Sequence, residues 1–69
     1  MTTQQTSGPR ALVGRRVQLH PATDAWTAGD RFGEITRATA GKAGTFFFVK
    51  MDRSGRVRRI AGRNVEVID

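Results

Sequence analysis

Glycine spacing is the feature that most limits how this chain can fold. Seven glycines divide its ordered part, at positions 14, 29, 33, 41, 44, 55 and 62. Glycine destabilises helix interiors and is favoured in turns, so this spacing leaves room only for short elements. Between the glycines the apolar residues follow no helical period. The chain is therefore predicted to be all-β, without a helix.

The apolar patterns and turn residues predict five strands. They are expected at residues 16–20, 31–38, 45–51, 56–60 and 65–68. The connections are a polar loop over 22–30, a flexible turn over 40–44, a glycine-containing hairpin turn over 52–55 and a short turn over 61–64. In the third strand, alternation separates an inward set from an outward set. The inward set is Phe47, Val49 and Met51; the outward set is Phe46, Phe48 and Lys50.

This order of loops and hairpins is typical of a small five-stranded SH3-like β-barrel, here predicted over residues 11–69. Residues 1–10 are polar and are predicted to form a disordered tail. A core this small is marginal and has no cysteine to support it, which favours a very compact barrel or a homo-oligomer. The chain lacks the apolar core of a signal peptide and the ~20 apolar residues of a membrane span. The lack of cysteine fits a cytoplasmic protein, which is the expected location.

Two resemblances to known families accompany this pattern. In residues 13–35, Gly14, Val17, Gly33 and Ile35 stand where KOW-type nucleic-acid-binding domains have a G-x-x-V strand and then a glycine before an apolar residue. That resemblance implies an SH3-like barrel with a nucleic-acid partner.

Residues 55–60 and 65–68, together with the Ala25-Trp26 pair, resemble the plasmid-type (type II) dihydrofolate reductases. That family forms tetrameric SH3-like barrels whose central pore holds folate and NADPH through a Val-Gln-Ile-Tyr strand. Here the sequence reads Val57-Arg58-Arg59-Ile60, so only the valine matches. The resemblance implies the barrel and an oligomer, whereas the glutamine and tyrosine that orient the reactants are not kept.

Charge is concentrated on the predicted distal hairpin. Between positions 50 and 63 the chain has six basic residues and one acid, a net +5 of the chain's +6. The predicted nucleic-acid-binding residues are Lys50, Arg53, Arg56, Arg58, Arg59 and Arg63. Such a set neutralises phosphates and releases counterions. A basic edge that discourages sheet-to-sheet aggregation, or an oligomer pore lined by charge, would give the same pattern.

Trp26, Phe46 and Phe48 are the candidate stacking or interface residues. Aromatic rings beside arginines stack on bases in many RNA and single-strand binders, yet the same rings can belong to the core, a lid or a protein interface. His20 is the chain's one histidine and has no partner set, so neither a metal site nor a catalytic residue nor a resident cofactor is predicted.

The sequence therefore supports three hypotheses. The first is a basic barrel that binds nucleic acid electrostatically, of the small accessory kind that phages and plasmids encode. The second is a divergent reductase-like homotetramer that uses NADPH. The third is an adaptor that binds a protein through its exposed aromatic residues.

Overall fold

The computed structural model describes residues 9–69. Its elements are β1 (Arg16–Leu19), α1 (Asp24–Thr27), β2 (Phe32–Gly41), β3 (Gly44–Met51), β4 (Val57–Ala61) and β5 (Val65–Val67), with 3₁₀ turns at Pro9–Leu12 and Gly62–Asn64. The all-β prediction with five strands is confirmed. The predicted tail over residues 1–8 lies outside the described residues. Pro9 and Arg10, which were predicted to belong to that tail, lie instead in the first 3₁₀ turn, where the fixed φ of proline suits the opening position.

All five strands form one antiparallel sheet in the order β4-β3-β2-β1-β5. The 3₁₀ turn after β4 carries the chain across to the far side of β1, where β5 pairs with it. No ladder joins β4 to β5 in residues 9–69, so the sheet is open between these two edges rather than a closed barrel.

The core lies on one side of the sheet and beneath α1. Its buried residues come from β1, α1, β2, β3 and β4, and they are Val17, Leu19, Ala25, Ile35, Phe47, Val49, Met51 and Ile60. The inward set predicted for β3 is therefore confirmed. Within β4, Ile60 points inward and Val57 is 55% exposed, as expected from their opposite parity on an edge strand.

A short helix, α1, corrects the prediction that no helix would form. Thr23 caps it: the Thr23 hydroxyl accepts a hydrogen bond from the backbone N–H of Trp26 at 3.2 Å and donates one to the carbonyl of His20 at 2.8 Å. A threonine cap followed by an aspartate suits a helix start. One turn is too short to give a readable period, which is why the sequence pattern did not show it.

A bulge in β2 changes which side chains face outward. Ile35 is paired with Val49, and Arg37 is paired with Phe48, so the register shifts by one residue between them. Before the bulge the odd-numbered residues Gly33 and Ile35 are buried, whereas Arg37 is exposed. Thr36, the extra residue, donates a hydrogen bond from its hydroxyl to the carbonyl of Phe48 at 3.1 Å. The bulge therefore moves Arg37 from the core side to the solvent side of the sheet.

Candidate functional site

Ion pairs divide the basic residues of this protein into two groups. In the described chain, Arg15 pairs with Asp69 at 2.7 Å, Arg58 with Asp30 at 2.8 Å, and Arg16 with Asp52. The hydrogen bonds from Arg15 and from the backbone N–H of Arg16 hold the pKa of Asp69 below its ordinary value. These pairs leave nine of the twelve cations in the described chain with no carboxylate within 4.0 Å.

Six of the nine unpaired cations lie in β2, β3, β4 and the turns between them, and Arg63 follows β4. Seven of the nine lie between positions 37 and 63, where the one acid, Asp52, is already paired with Arg16. They are Arg37, Lys42, Lys50, Arg53, Arg56, Arg59 and Arg63, and all seven are exposed. The charge asymmetry seen in the sequence is therefore kept after pairing, because one ion pair takes Arg58 from this region and another takes its one acid, Asp52.

Arg58 does not belong to this exposed group, although it was predicted to bind nucleic acid. It faces inward beside Val49, with 28% of its side chain exposed, and donates from Nε to the Asp30 carboxylate. Asp30 also accepts hydrogen bonds from the backbone N–H of Ser54 at 3.2 Å and from its hydroxyl at 2.8 Å. Burial alone raises the pKa of Asp30, but the hydrogen bonds from Arg58 and Ser54 outweigh it and hold that pKa below its ordinary value.

The Asp30 contacts join the β1–β2 connection to the distal hairpin. The Asp30 side chain is 3% exposed, and removal of any of its partners would leave a buried carboxylate short of donors. Asp30 thus has a structural role that the scattered spacing of the acids did not reveal. The only local signal was its place after Gly29, at the end of the loop.

Arginines and phenylalanines alternate on the outer side of β2, β3 and β4. Phe48 lies in the middle of a cross-strand row, with Arg37 opposite it on β2 and Arg59 opposite it on β4. The Arg59 guanidinium carbon lies 4.2 Å from the centroid of the Phe46 ring, and that of Arg37 lies 5.6 Å from the centroid of Phe48. These are cation–π distances.

We call this surface the basic aromatic face and define it by Arg37, Phe46, Phe48, Lys50 and Arg59. Phe46 and Phe48 are half-buried, while the three cations are exposed. Phe46 and Phe48 were predicted to lie outward, and they do. Arg37 was missed because a regular strand would have turned it inward, and nothing in the sequence marked the bulge.

The other predicted cations lie at the margins of this face or away from it. Arg53 and Arg56 are in and just after the distal turn, and a side chain at Gly29 would collide with the Arg53 guanidinium. Arg63 is in the second 3₁₀ turn and lines a cleft with Gln18 and other residues of β1 and β5. Arg53 and Arg56 thus lie beyond the distal end of the face, with the Arg53 guanidinium beside Gly29, whereas Arg63 belongs to a different side of the molecule.

Trp26 is separate from the two phenylalanines. It lies in α1, is half-buried against the core, and is covered by the Arg31 guanidinium at 4.7 Å from its ring centroid. This position matches a lid over the core rather than a member of the outer aromatic surface.

Other kinds of site have little support in the described chain. No group of three metal-ligating side chains occurs in residues 9–69. None of the described helices is long and apolar enough to cross a bilayer. An open groove of about 470 Å³ runs between α1 and β4, with Asp24, Arg58 and Arg59 among its lining residues.

The four residues at the reductase motif positions do not form one surface of this chain. Ile60 is buried in the core, Arg58 is paired with Asp30, and Val57 and Arg59 face solvent. Comparison with family models, curated proteins and solved structures found no match for the chain.

Proposed function

We propose that this protein binds nucleic acid through the basic aromatic face and the adjoining distal hairpin. The observation that carries the proposal is the segregation of charge: six exposed, unpaired cations lie in β2, β3, β4 and the turns between them, where Glu34 is the one unpaired acid. A surface of this kind attracts a polyanion and releases its counterions, which gives affinity with low sequence specificity.

Arginine chemistry favours nucleic acid over other polyanions. A guanidinium donates a fork of hydrogen bonds to phosphate oxygens and also stacks on flat rings. Lys50 adds a flexible point charge beside the Arg37–Phe48–Arg59 row. The face has no asparagine or glutamine, the side chains that read adenine edges, which fits binding through the backbone and ring faces.

A basic edge strand also discourages sheet-to-sheet association, and solubility alone could account for part of the charge. The two explanations differ in a measurable way. If the cations only protect the edge, their loss changes aggregation and leaves nucleic-acid affinity untouched. If they contact phosphates, each loss lowers the affinity and flattens its salt dependence.

The test is fluorescence anisotropy with labelled oligonucleotides over a series of salt concentrations. Arg59→Gln removes one cation from the face, and Arg31→Gln is its matched control, because both arginines are exposed and each covers one aromatic ring. We expect Arg59→Gln to reduce the slope of log affinity against log salt by about 0.7–0.9, and Arg31→Gln to leave it near the wild-type value.

A triple variant, Lys50→Gln with Arg56→Gln and Arg59→Gln, enlarges the signal. Its slope should fall by roughly 2–3 if each cation contacts a phosphate. Equal slopes for the wild type and the triple variant, or no binding at low salt, would show that the charge has another purpose.

A further inference from the structure

We infer that the nucleic acid bound at the basic aromatic face is single-stranded, with unpaired bases stacked on the arginine–phenylalanine pairs. This inference rests on the proposed function and specifies its ligand. It depends on the placement of the rings, which the charge argument does not use.

The spacing of the two phenylalanine rings suits a nucleic-acid single strand whose bases are unstacked. Phe46 and Phe48 are two residues apart on one side of β3, so their backbone positions are about 6.8 Å apart. Neighbouring bases of a duplex are stacked about 3.4 Å apart and present only their edges in the grooves. Neither ring could reach a base face without breaking that stack. Bases of a single strand are free to separate and to stack on protein rings.

The arginines extend the flat surface beyond the rings. The guanidinium carbon of Arg59 lies 4.2 Å from the centroid of the Phe46 ring and that of Arg37 lies 5.6 Å from the centroid of Phe48, so each pair places a guanidinium over an aromatic ring. A base can stack on a guanidinium while the N–H groups at its margin donate to a neighbouring phosphate. Each pair therefore provides a stacking surface and a phosphate contact in one place.

The size of the face indicates a short binding site. The row from Arg37 to Arg59 spans three strands, about 10 Å, and the run from Phe46 to Lys50 is about 14 Å long. At the ~6.8 Å spacing of the two rings, a length of about 14 Å holds roughly two to three unstacked nucleotides. The face is therefore suited to a few nucleotides, with Arg53 and Arg56 beyond its distal end to contact further phosphates.

The experiment compares a labelled eight-nucleotide single strand with the same sequence held in a hairpin duplex. Phe46→Leu and Phe48→Leu remove the rings but keep apolar side chains, and Phe32→Leu is the control. Phe32 is an exposed phenylalanine at the start of β2, with 43% of its surface accessible. It pairs with Gln18 of β1 and is not one of the residues of the basic aromatic face. Melting curves confirm that each variant is folded.

We expect tighter binding of the single strand than of the duplex. Phe46→Leu and Phe48→Leu should each weaken single-strand binding by roughly 5- to 100-fold, with the salt slope unchanged because no charge is lost. Phe32→Leu should bind like the wild type. Arg59→Lys keeps the charge but loses the plane, so it should weaken single-strand binding at an unchanged slope.

The outcomes separate this inference from the proposed function. Equal affinity for both forms, with no effect of the phenylalanine variants, would overturn the single-strand inference and leave electrostatic nucleic-acid binding intact. Failure to bind either form at low salt would overturn the proposed function itself.

Discussion

Gly33 should be the least replaceable glycine of the sheet. It lies in β2 between Val17 on one side and Met51 on the other. A methyl group there would be 2.5 Å from the carbonyl oxygen of Lys50 and 2.7 Å from Cγ1 of Val49, where ordinary contacts begin at 3.4 Å. Relief of the first contact requires β2 and β3 to move apart by about 0.9 Å. The obstacle is backbone within a hydrogen-bonded ladder, so it cannot rotate away.

Overpacking of a close-packed core by one carbon destabilises a protein by about 1–3 kcal/mol. A domain of 61 described residues has a free energy of unfolding of about 3–9 kcal/mol. Gly33→Ala should therefore remove a large share of the stability and lower Tm by roughly 4–24 °C. Thermal unfolding followed by circular dichroism measures the shift, with urea denaturation as a second estimate of the free energy.

Gly41→Ala is the matched control, because Gly41 is also in β2 and a methyl group there meets nothing within 4 Å. We expect it to be neutral or to stabilise by up to about 1 kcal/mol, since alanine restricts the unfolded chain. If Gly33→Ala had the same Tm as Gly41→Ala and the wild type, the close approach of β2 and β3 at Gly33 would be refuted.

Two further predictions test the parity of β3 and the buried carboxylate. Phe47→Ala should destabilise the fold by about 3–5 kcal/mol because Phe47 is 4% exposed. Phe48→Ala should destabilise it much less, because Phe48 is only half-buried. Equal losses of unfolding free energy in urea denaturation would contradict the assignment of the two residues to opposite sides of β3. The pKa of Asp30 is lowered in the folded state, so the ionised carboxylate stabilises the folded protein. This contribution to the free energy of unfolding is complete above the unfolded pKa of about 3.9 and is lost as pH falls through the lower folded pKa. Asp30→Asn should therefore be less stable than the wild type at pH 7 and should lose less stability on acidification to pH 3. The measurement is the free energy of unfolding of both proteins at several pH values. If the two free energies fell in parallel from pH 7 to pH 3, the pairing of Asp30 with Arg58 would be contradicted.

The sequence predicted the strands well because their signals are local. The alternation of Thr45–Met51 residues identifies the buried and exposed sides of β3, and the glycine of the distal turn marks its end. Gly55 has φ of +75°, the left-handed conformation that the hairpin turn requires. Strand ends differ from prediction by at most three residues, most at β2, which continues to Gly41.

The candidate site was predicted only in part, and the errors share one cause. Phe46, Phe48 and Lys50 lie on the outward side of β3, as strand parity predicted. Whether a given arginine stays available for a ligand is a different question, since it depends on which carboxylate folding brings beside it.

The sequence alone thus determined the all-β class, the number and order of the strands, and the excess of positive charge near the distal hairpin. These properties follow from turn residues, period-two patterns and composition, all of which act within a few residues. Tertiary structure decided that Arg58 is bound to Asp30, 28 positions away, and that a bulge turns Arg37 outward beside Phe48. Both depend on pairing between distant segments, where one residue of register exchanges the core side of a strand for the solvent side.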